Sequence, residues 1–321
     1  MNSIVVEGLA FSLPLFIMAI SGIYSERAGV INLAIEGFQG FGAFFGALVV
    51  TLLAVKVNGA MENPMLPYIA ILMAFIGGMV FSVLHALLCI NFKANQVISG
   101  VLINILSVSL TGFLTSQINA LVFQKPSNKF VLNIFPKTSI LLLSEVPIVG
   151  GIFKEFYTFE IIIIIVALIL AYVLYNTKYG LRLCASGENP HALDAAGVNV
   201  AKIRYSAIML SGGLAGIGGM CFAYSISANF SGSIYFGAGF LSIAALIFGN
   251  WRIIPTFFAC ILFGFARSFG YFISDFLELP AVYSNLILTL PYVLTMVLLV
   301  FFSKNNKPPI ALGEIYYKGK R

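Results

Sequence analysis

Charge is what this sequence has least of. Only 9 % of its 321 residues are Asp, Glu, Lys or Arg, and the acidic side chains number twelve. A water-facing domain carries roughly 25 % charged residues, so the chain lacks the means to cover a hydrated surface. Cysteine is scarce as well: Cys89, Cys184, Cys221 and Cys260 stand far apart, with no CxxC pair and no metal-ligand spacing. They read as small apolar fillers rather than a redox pair or a metal site. Four catalytic or nucleotide motifs, GxxxxGK[ST], DDxxD, HExxH and GxSxG, are missing. Without the first, the chain has no phosphate cradle of its own for ATP. Without the others, a membrane hydrolase or prenyl transferase has no visible machinery.

What fills the sequence instead is apolar: 60 % hydrophobic residues, including 30 Phe and 14 Tyr. Long apolar runs, rather than short alternating ones, point to an all-α polytopic membrane protein and away from a β-barrel. A crossing needs about 20 mostly apolar residues, and nine runs qualify, at roughly 4–23, 29–55, 67–90, 97–121, 159–176, 205–227, 237–249, 255–274 and 285–303. The seventh is short; the second is long, rich in Gly and interrupted by polar residues. The chain opens with MNSIVVEG, without Lys or Arg, so the first run is expected to be a retained helix rather than a cleaved signal. No internal repeat is visible. The chain reads as one transmembrane domain over 1–321.

The net charge of +6 points to orientation rather than to nucleic acid. Its basic residues are scattered over short connections and the tail, and in a membrane chain such residues favour the cytoplasmic side. Placing the tail 304–321 inside and alternating backwards puts twelve of the 18 Lys and Arg on the inner side and five on the outer, with Arg267 inside a span. The N-terminus is therefore expected outside and the C-terminus inside. Residues 122–158 become an outer loop, expected to lie along the interface or to form a poor tenth span. Residues 177–204 become the longest inner segment.

Polar groups inside spans are costly unless they face protein or water. Asn32 and Glu36 lie four apart, hence on one face of a helix, among glycines that permit a break. Asn104 and Ser107, with Ser109 and Thr111, make a polar stripe suited to sugar hydroxyls or base edges. Each admits two readings: substrate pathway, or hydrogen bonds that join neighbouring helices. Gly212, Gly213, Gly216, Gly218 and Gly219 form a small-residue face for close packing.

In the inner segment, Ser186-Gly187-Glu188-Asn189-Pro190 is dense in turn formers, and Pro190 suits the first position of a helix. HALDAAG follows, with Gly197 placed to close that helix in a left-handed conformation. A two-turn helix between two turns is expected; an ordinary interfacial loop is the plainer alternative.

TKYGLRLCASGENPHALDAAGVNVAKIR followed by SGGLAGIGG resembles the cytoplasmic signature of ABC-importer permeases, in the branch that serves branched-chain amino acids, ribose and nucleosides. Gly180, Arg182, Ala185, Gly187, Asn189, Pro190, Ala195, Ala196 and Gly197 fall on that pattern. RAGVINLAIEGFQGFGAFFG and FLSIAALIFGNWRIIPTFFACILFGFA match two further runs of the family, in family order. The first is closest to the nucleoside and simple-sugar permeases. The resemblance implies a permease subunit of an ATP-driven importer, with Gly187, Asn189, Pro190, Ala192, Ala195, Ala196 and Gly197 in a coupling helix that docks on an ATPase. It also implies a second permease chain, identical or related, and an outer solute-binding lipoprotein. No cofactor is implied for this chain, since the partner binds ATP. Nucleosides lead as substrate, then sugars such as ribose, then branched-chain amino acids; a secondary transporter or channel is the alternative from another class.

Overall fold

A computed structural model describes residues 2–56, 63–124, 126–133, 135–139, 156–278, 280, 287, 289–302 and 306–318. The protein is mostly helical. In chain order the helices are α1 (Asn2–Arg27), α2 (Ile35–Lys56), α3 (Leu66–Ala86, continued by a π-turn Leu87–Asn91), α4 (Gln96–Leu121) and α5 (Thr158–Asn176). Then follow α6 (Lys178–Glu188), α7 (Pro190–Ala195), α8 (Val200–Phe222, with a π-turn Ala223–Ser227), α9 (Ala238–Phe248), α10 (Ile253–Phe276) and α11 (Leu290–Phe302). Two strand pairs tie the connections together: β1 (Phe130–Val131) with β4 (Asn229–Phe230), and β2 (Lys137–Thr138) with β3 (Phe156–Tyr157), both antiparallel.

Seven helices among the described residues are long and apolar enough to cross a membrane. The seventh expected span is the 11-residue α9, about 16 Å at 1.5 Å per residue and therefore half of a 30 Å hydrocarbon core. The ninth is represented by α11, and residues 285, 286, 288 and 303 of the expected run lie outside the described residues. Residues 140–155 of the loop 122–158 also lie outside them, so the interfacial stretch and the tenth span expected there are not described. The polar segment expected at 177–204 is shorter than expected, because Asn199 caps α8 by accepting from Lys202 N at 3.0 Å.

α1 and α8 form the interior of the bundle, with α2 and α3 packed on α8 and α10 on α1. Small residues permit this. A Cβ on Gly212 would fall on the Gly78 carbonyl, and one on Gly42 on the Gly216 Cα; such faces let helices approach closely without a hydrophobic drive between them. α4 lies at the periphery and is polar inward. Gln96, Ser99, Asn104, Ser107, Thr111, Thr115 and Asn119 are buried, while Val101, Leu102, Ile105, Leu106 and Phe113 are exposed. Polar side chains turned in and apolar ones turned out are what a lipid-facing helix requires, since hydrocarbon satisfies no hydrogen bond.

The second expected span is broken at its start. α1 ends at Arg27 and α2 begins only at Ile35. Gly29 lies at φ +89°, a left-handed conformation that glycine reaches without a Cβ penalty. Ile35 returns to the level of Gly22, against which it packs, so residues 28–34 double back along the last turns of α1. Asn32 therefore lies in the non-helical chain before α2 rather than on the helical face of Glu36.

Candidate functional site

A non-helical segment inside a helical membrane bundle must have every backbone N–H and C=O satisfied by protein or water. Residues 28–37 are supplied mostly by side chains. Ser186 Oγ donates to Ala28 O (3.0 Å) and Ser25 Oγ to Val30 O (3.0 Å). Ile31 N donates to Gln96 Oε1 (2.8 Å), and the Ile31 carbonyl receives His85 Nε2 (3.3 Å). A carbonyl can only accept, so Nε2 carries the ring hydrogen, and Nδ1 accepts from Ser99 Oγ (2.9 Å). Asn104 braces both sides of the start of α2: its Nδ2 donates to Leu33 O (2.8 Å) and its Oδ1 accepts from Gly37 N (2.7 Å). Ser107 Oγ completes the set on Gly37 O (2.7 Å).

Two carboxylates flank the break, and both hold α9. Glu36, 5 % exposed, accepts Gly237 N at Oε1 (2.8 Å) and Gly239 N at Oε2 (2.5 Å). It caps the N-terminus of the half-length helix, where unpaired N–H groups and the positive end of the helix dipole favour an anion. Glu26 accepts Trp251 Nε1 (2.6 Å), just beyond the other end of α9. Arg27 Nε donates to Trp251 O (2.9 Å). Asn250 and Trp251 both hold positive φ, at 53° and 55°, an uncommon conformation for non-glycine residues that these side-chain contacts fix.

Of the four residues expected on the pathway, three converge. Glu36, Asn104 and Ser107 surround Gly37, and Tyr235 joins them through its hydroxyl, 2.7 Å from Ser107 Oγ and 3.0 Å from Thr111 Oγ1. Gln39 extends the group by donating to Ile234 O (2.9 Å). Asn32 points elsewhere, donating to Ser211 Oγ on α8 (2.7 Å). Two buried amide oxygens, Asn32 Oδ1 and Gln39 Oε1, receive no hydrogen bond from the described residues. Arg267, inside α10, lies 4.4 Å from the Phe11 ring and 4.9 Å from that of Phe236, a cation over aromatic faces. Sequence reasoning missed Glu26, Gln39 and Tyr235, because nothing nearby in the chain marks their partners.

The segment 177–204 also departs from expectation in its first half. Ser186, Gly187 and Glu188 are turn formers, yet they complete α6, whose N-cap Thr177 accepts from Gly180 N (3.2 Å). Packing overrides propensity here: a Cβ on Gly187 would strike the Arg27 carbonyl, and Ser186 is bonded to Ala28. The break comes at Asn189, whose side chain accepts from Ala192 N (3.0 Å), with Pro190 at the first helical position. Gly197, at φ +79°, ends α7, and Val198 N returns to Leu193 O (3.2 Å). Pro190 and Leu193 are buried, whereas Ala192, Ala195, Ala196 and Gly197 are exposed. Residues 192, 195 and 196 share one helical face, so α7 offers a shallow ridge of methyl groups and keeps its one large apolar side chain inside.

The family described as branched-chain amino acid transport system / permease component matches residues 4–302. The chain is similar to the guanosine ABC transporter permease protein NupQ of Bacillus subtilis, 36 % identical over 100 % of this chain and 98 % of the relative. It is equally similar to the nucleoside ABC transporter permease protein NupC of Lactococcus lactis, at 36 % over 99 % and 97 %. The guanosine ABC transporter permease protein NupP of Bacillus subtilis is 26 % identical over 78 % of this chain and 69 % of its own length. No solved structure matches.

Glu36→Gln should expose the cap. An amide retains one acceptor oxygen, so one of the two N–H groups of α9 faces a donor. A buried group left unpaired costs about 1–3 kcal/mol. The purified variant is expected to melt at a lower temperature and to transport more slowly; unchanged melting would show that the cap contributes nothing.

Proposed function

The chain belongs to the permease family of branched-chain amino acid transport systems, and from that premise we propose that it is the membrane subunit of an ATP-driven nucleoside importer. As a member of the family it is a multi-pass protein of the bacterial cell membrane and a transport subunit, not an enzyme. Full-length similarity carries the substrate class: 36 % identity spans all of the chain and nearly all of a permease named for guanosine. The chemistry of the buried polar side chains agrees with it. Neutral acceptors and hydroxyls, including the unpaired oxygens of Asn32 and Gln39, suit a neutral ligand that offers N–H and O–H groups.

In this reading the N-terminus is outside and the C-terminus inside, and two further segments complete nine crossings with the seven long helices: residues 228–248, whose last half is α9, and the stretch that ends in α11. Asn32, Glu36, Asn104 and Ser107 shape the pathway, Glu36 by fixing the half-length α9. Two ATPase subunits lie on the inner face, where Ala192, Ala195 and Ala196 make the docking ridge. Gly187, Asn189, Pro190 and Gly197 hold that ridge in place. An outer lipoprotein delivers the ligand. A second permease completes the pathway, and the unequal similarity to two guanosine permeases of one organism, 36 % and 26 %, favours a related rather than an identical chain.

Vesicles containing this chain with its partner subunits should take up labelled guanosine only with ATP; preferential uptake of ribose or of branched-chain amino acids would contradict the substrate class. Ala196→Trp should abolish this uptake and release the ATPase on purification. The exposed position tolerates the ring, whereas a close-packed contact loses about 1–3 kcal/mol to such a misfit, roughly five- to hundredfold in docking at 1.4 kcal/mol per decade. Normal ATPase binding by this variant would remove α7 from the interface. For orientation, a cysteine at Val131, which is 65 % exposed, should react with an impermeant reagent added outside intact cells. One at Ile310, 80 % exposed, should react only after the membrane is opened; labelling of Ile310→Cys in intact cells would overturn the topology.

A further inference from the structure

The C-terminal tail does more than end the chain. Between Lys307 and Tyr316 it runs across the inner face and bonds to four separate elements. Lys307 N donates to Asn250 Oδ1 (2.8 Å) in the strained turn after α9. Ala311 N donates to Gly187 O (2.8 Å), at the end of α6. Gly313, at φ +82°, donates to Gly29 O (3.1 Å) in the break between α1 and α2. Glu314 O receives Arg204 Nη1 (3.0 Å) from α8. Beyond these bonds, the Tyr316 ring lies 5.3 Å from that of His191 on α7. Ala311, 3 % exposed, is packed as core rather than as surface.

Arg204 holds this junction. It is 4 % exposed and directs its guanidinium at main-chain and hydroxyl oxygens: Ser186 Oγ (3.4 Å), Ser186 O (3.4 Å) and Glu314 O. Ser186 in turn donates to Ala28 O. A planar guanidinium can serve several acceptors at fixed angles, which an ammonium cannot. One side chain therefore joins the tail, the end of α6 and the start of the break.

Resting on the assignment in the preceding subsection, we propose that residues 307–316 form a coupling strap, with Arg204 as its positioning residue. The strap fastens the inner-face helices α6 and α7 to the break at 28–34 and to the turn behind α9. Displacement of α7 by the ATPase then moves both interrupted elements together. Without the strap, α6 still touches the break through Ser186 and Gly187, and Arg27 still holds Trp251 O, but the Asn250 side chain loses its tie to the tail.

The test uses the assembled transporter in vesicles, comparing the full chain with one lacking residues 307–321 and with Arg204→Lys. Three quantities are read: ATPase co-purification, guanosine uptake and ATP hydrolysed per guanosine taken up. The strap predicts near-normal co-purification, uptake reduced at least tenfold in the truncated chain, and several-fold more ATP consumed per molecule in both variants. A merely structural tail would lower uptake and hydrolysis in proportion and leave that ratio unchanged, which would overturn the strap. Loss of ATPase co-purification on truncation would also overturn it, because the tail would then belong to the docking surface. Should the truncated chain fail to reach the membrane, Arg204→Lys decides alone, and a normal ratio in that variant contradicts the proposal. Full-chain vesicles without ATP-dependent uptake would contradict the preceding assignment itself, and the strap with it.

Discussion

An interrupted helix inside an apolar bundle can exist only where its main chain is fully hydrogen-bonded, and much of this structure answers that requirement at residues 28–37. Gln96 and His85 supply Ile31, Asn104 supplies Leu33 and Gly37, Ser107 supplies Gly37, and Ser186 supplies Ala28. These side chains come from α3, α4 and α6, so the break fixes how those helices assemble around it. A single unsatisfied main-chain group there would cost about 1–3 kcal/mol, a large part of the margin by which proteins are stable. The inward polar stripe of α4 is thus explained by the backbone it serves, before any ligand is considered.

The same constraint accounts for the carboxylates. An ionisable group inside a membrane bundle is expensive, yet Glu26 and Glu36 sit at either side of the break and hold the two ends of α9. Their donors are main-chain N–H groups and an indole N–H. Such a clamp is specific in position and carries no charged partner that would have to move with it. It leaves a half-length helix whose N-terminus meets the start of another helix inside the bundle, the kind of discontinuity from which transporters build sites near the membrane midplane.

Much of the fold was legible in the sequence. Run length placed α3, α4, α5 and α10 to within a few residues, and the small-residue face of α8 is where Gly212 and Gly216 approach Gly78 and Gly42. The boundaries of α7 were legible because Asn189, Pro190 and Gly197 act locally, through a cap, a fixed φ and a positive φ. What escaped depends on distant partners. Glu36 meets Gly237 and Gly239 across 201 and 203 residues, and Glu26 meets Trp251 across 225; no spacing rule reaches so far. Ser186-Gly187-Glu188 looked like a turn because propensity is local, while the contacts that keep it helical come from Arg27 and Ala28. By spacing alone Asn32 shares a helical face with Glu36, because the break at Gly29 depends on side chains from elsewhere.

If the break joins inner-face motion to the pathway, its main chain must change its hydrogen bonding when the ATPase changes state. Amide hydrogen exchange across residues 28–37 of the assembled transporter, compared between nucleotide-free and ATP-trapped states, measures this directly. The account predicts that exchange at Ile31, Asn32 and Gly37 shifts between the two states while the α3–α8 contact around Gly78 and Gly212 stays protected in both. Identical exchange of 28–37 in the two states would contradict it.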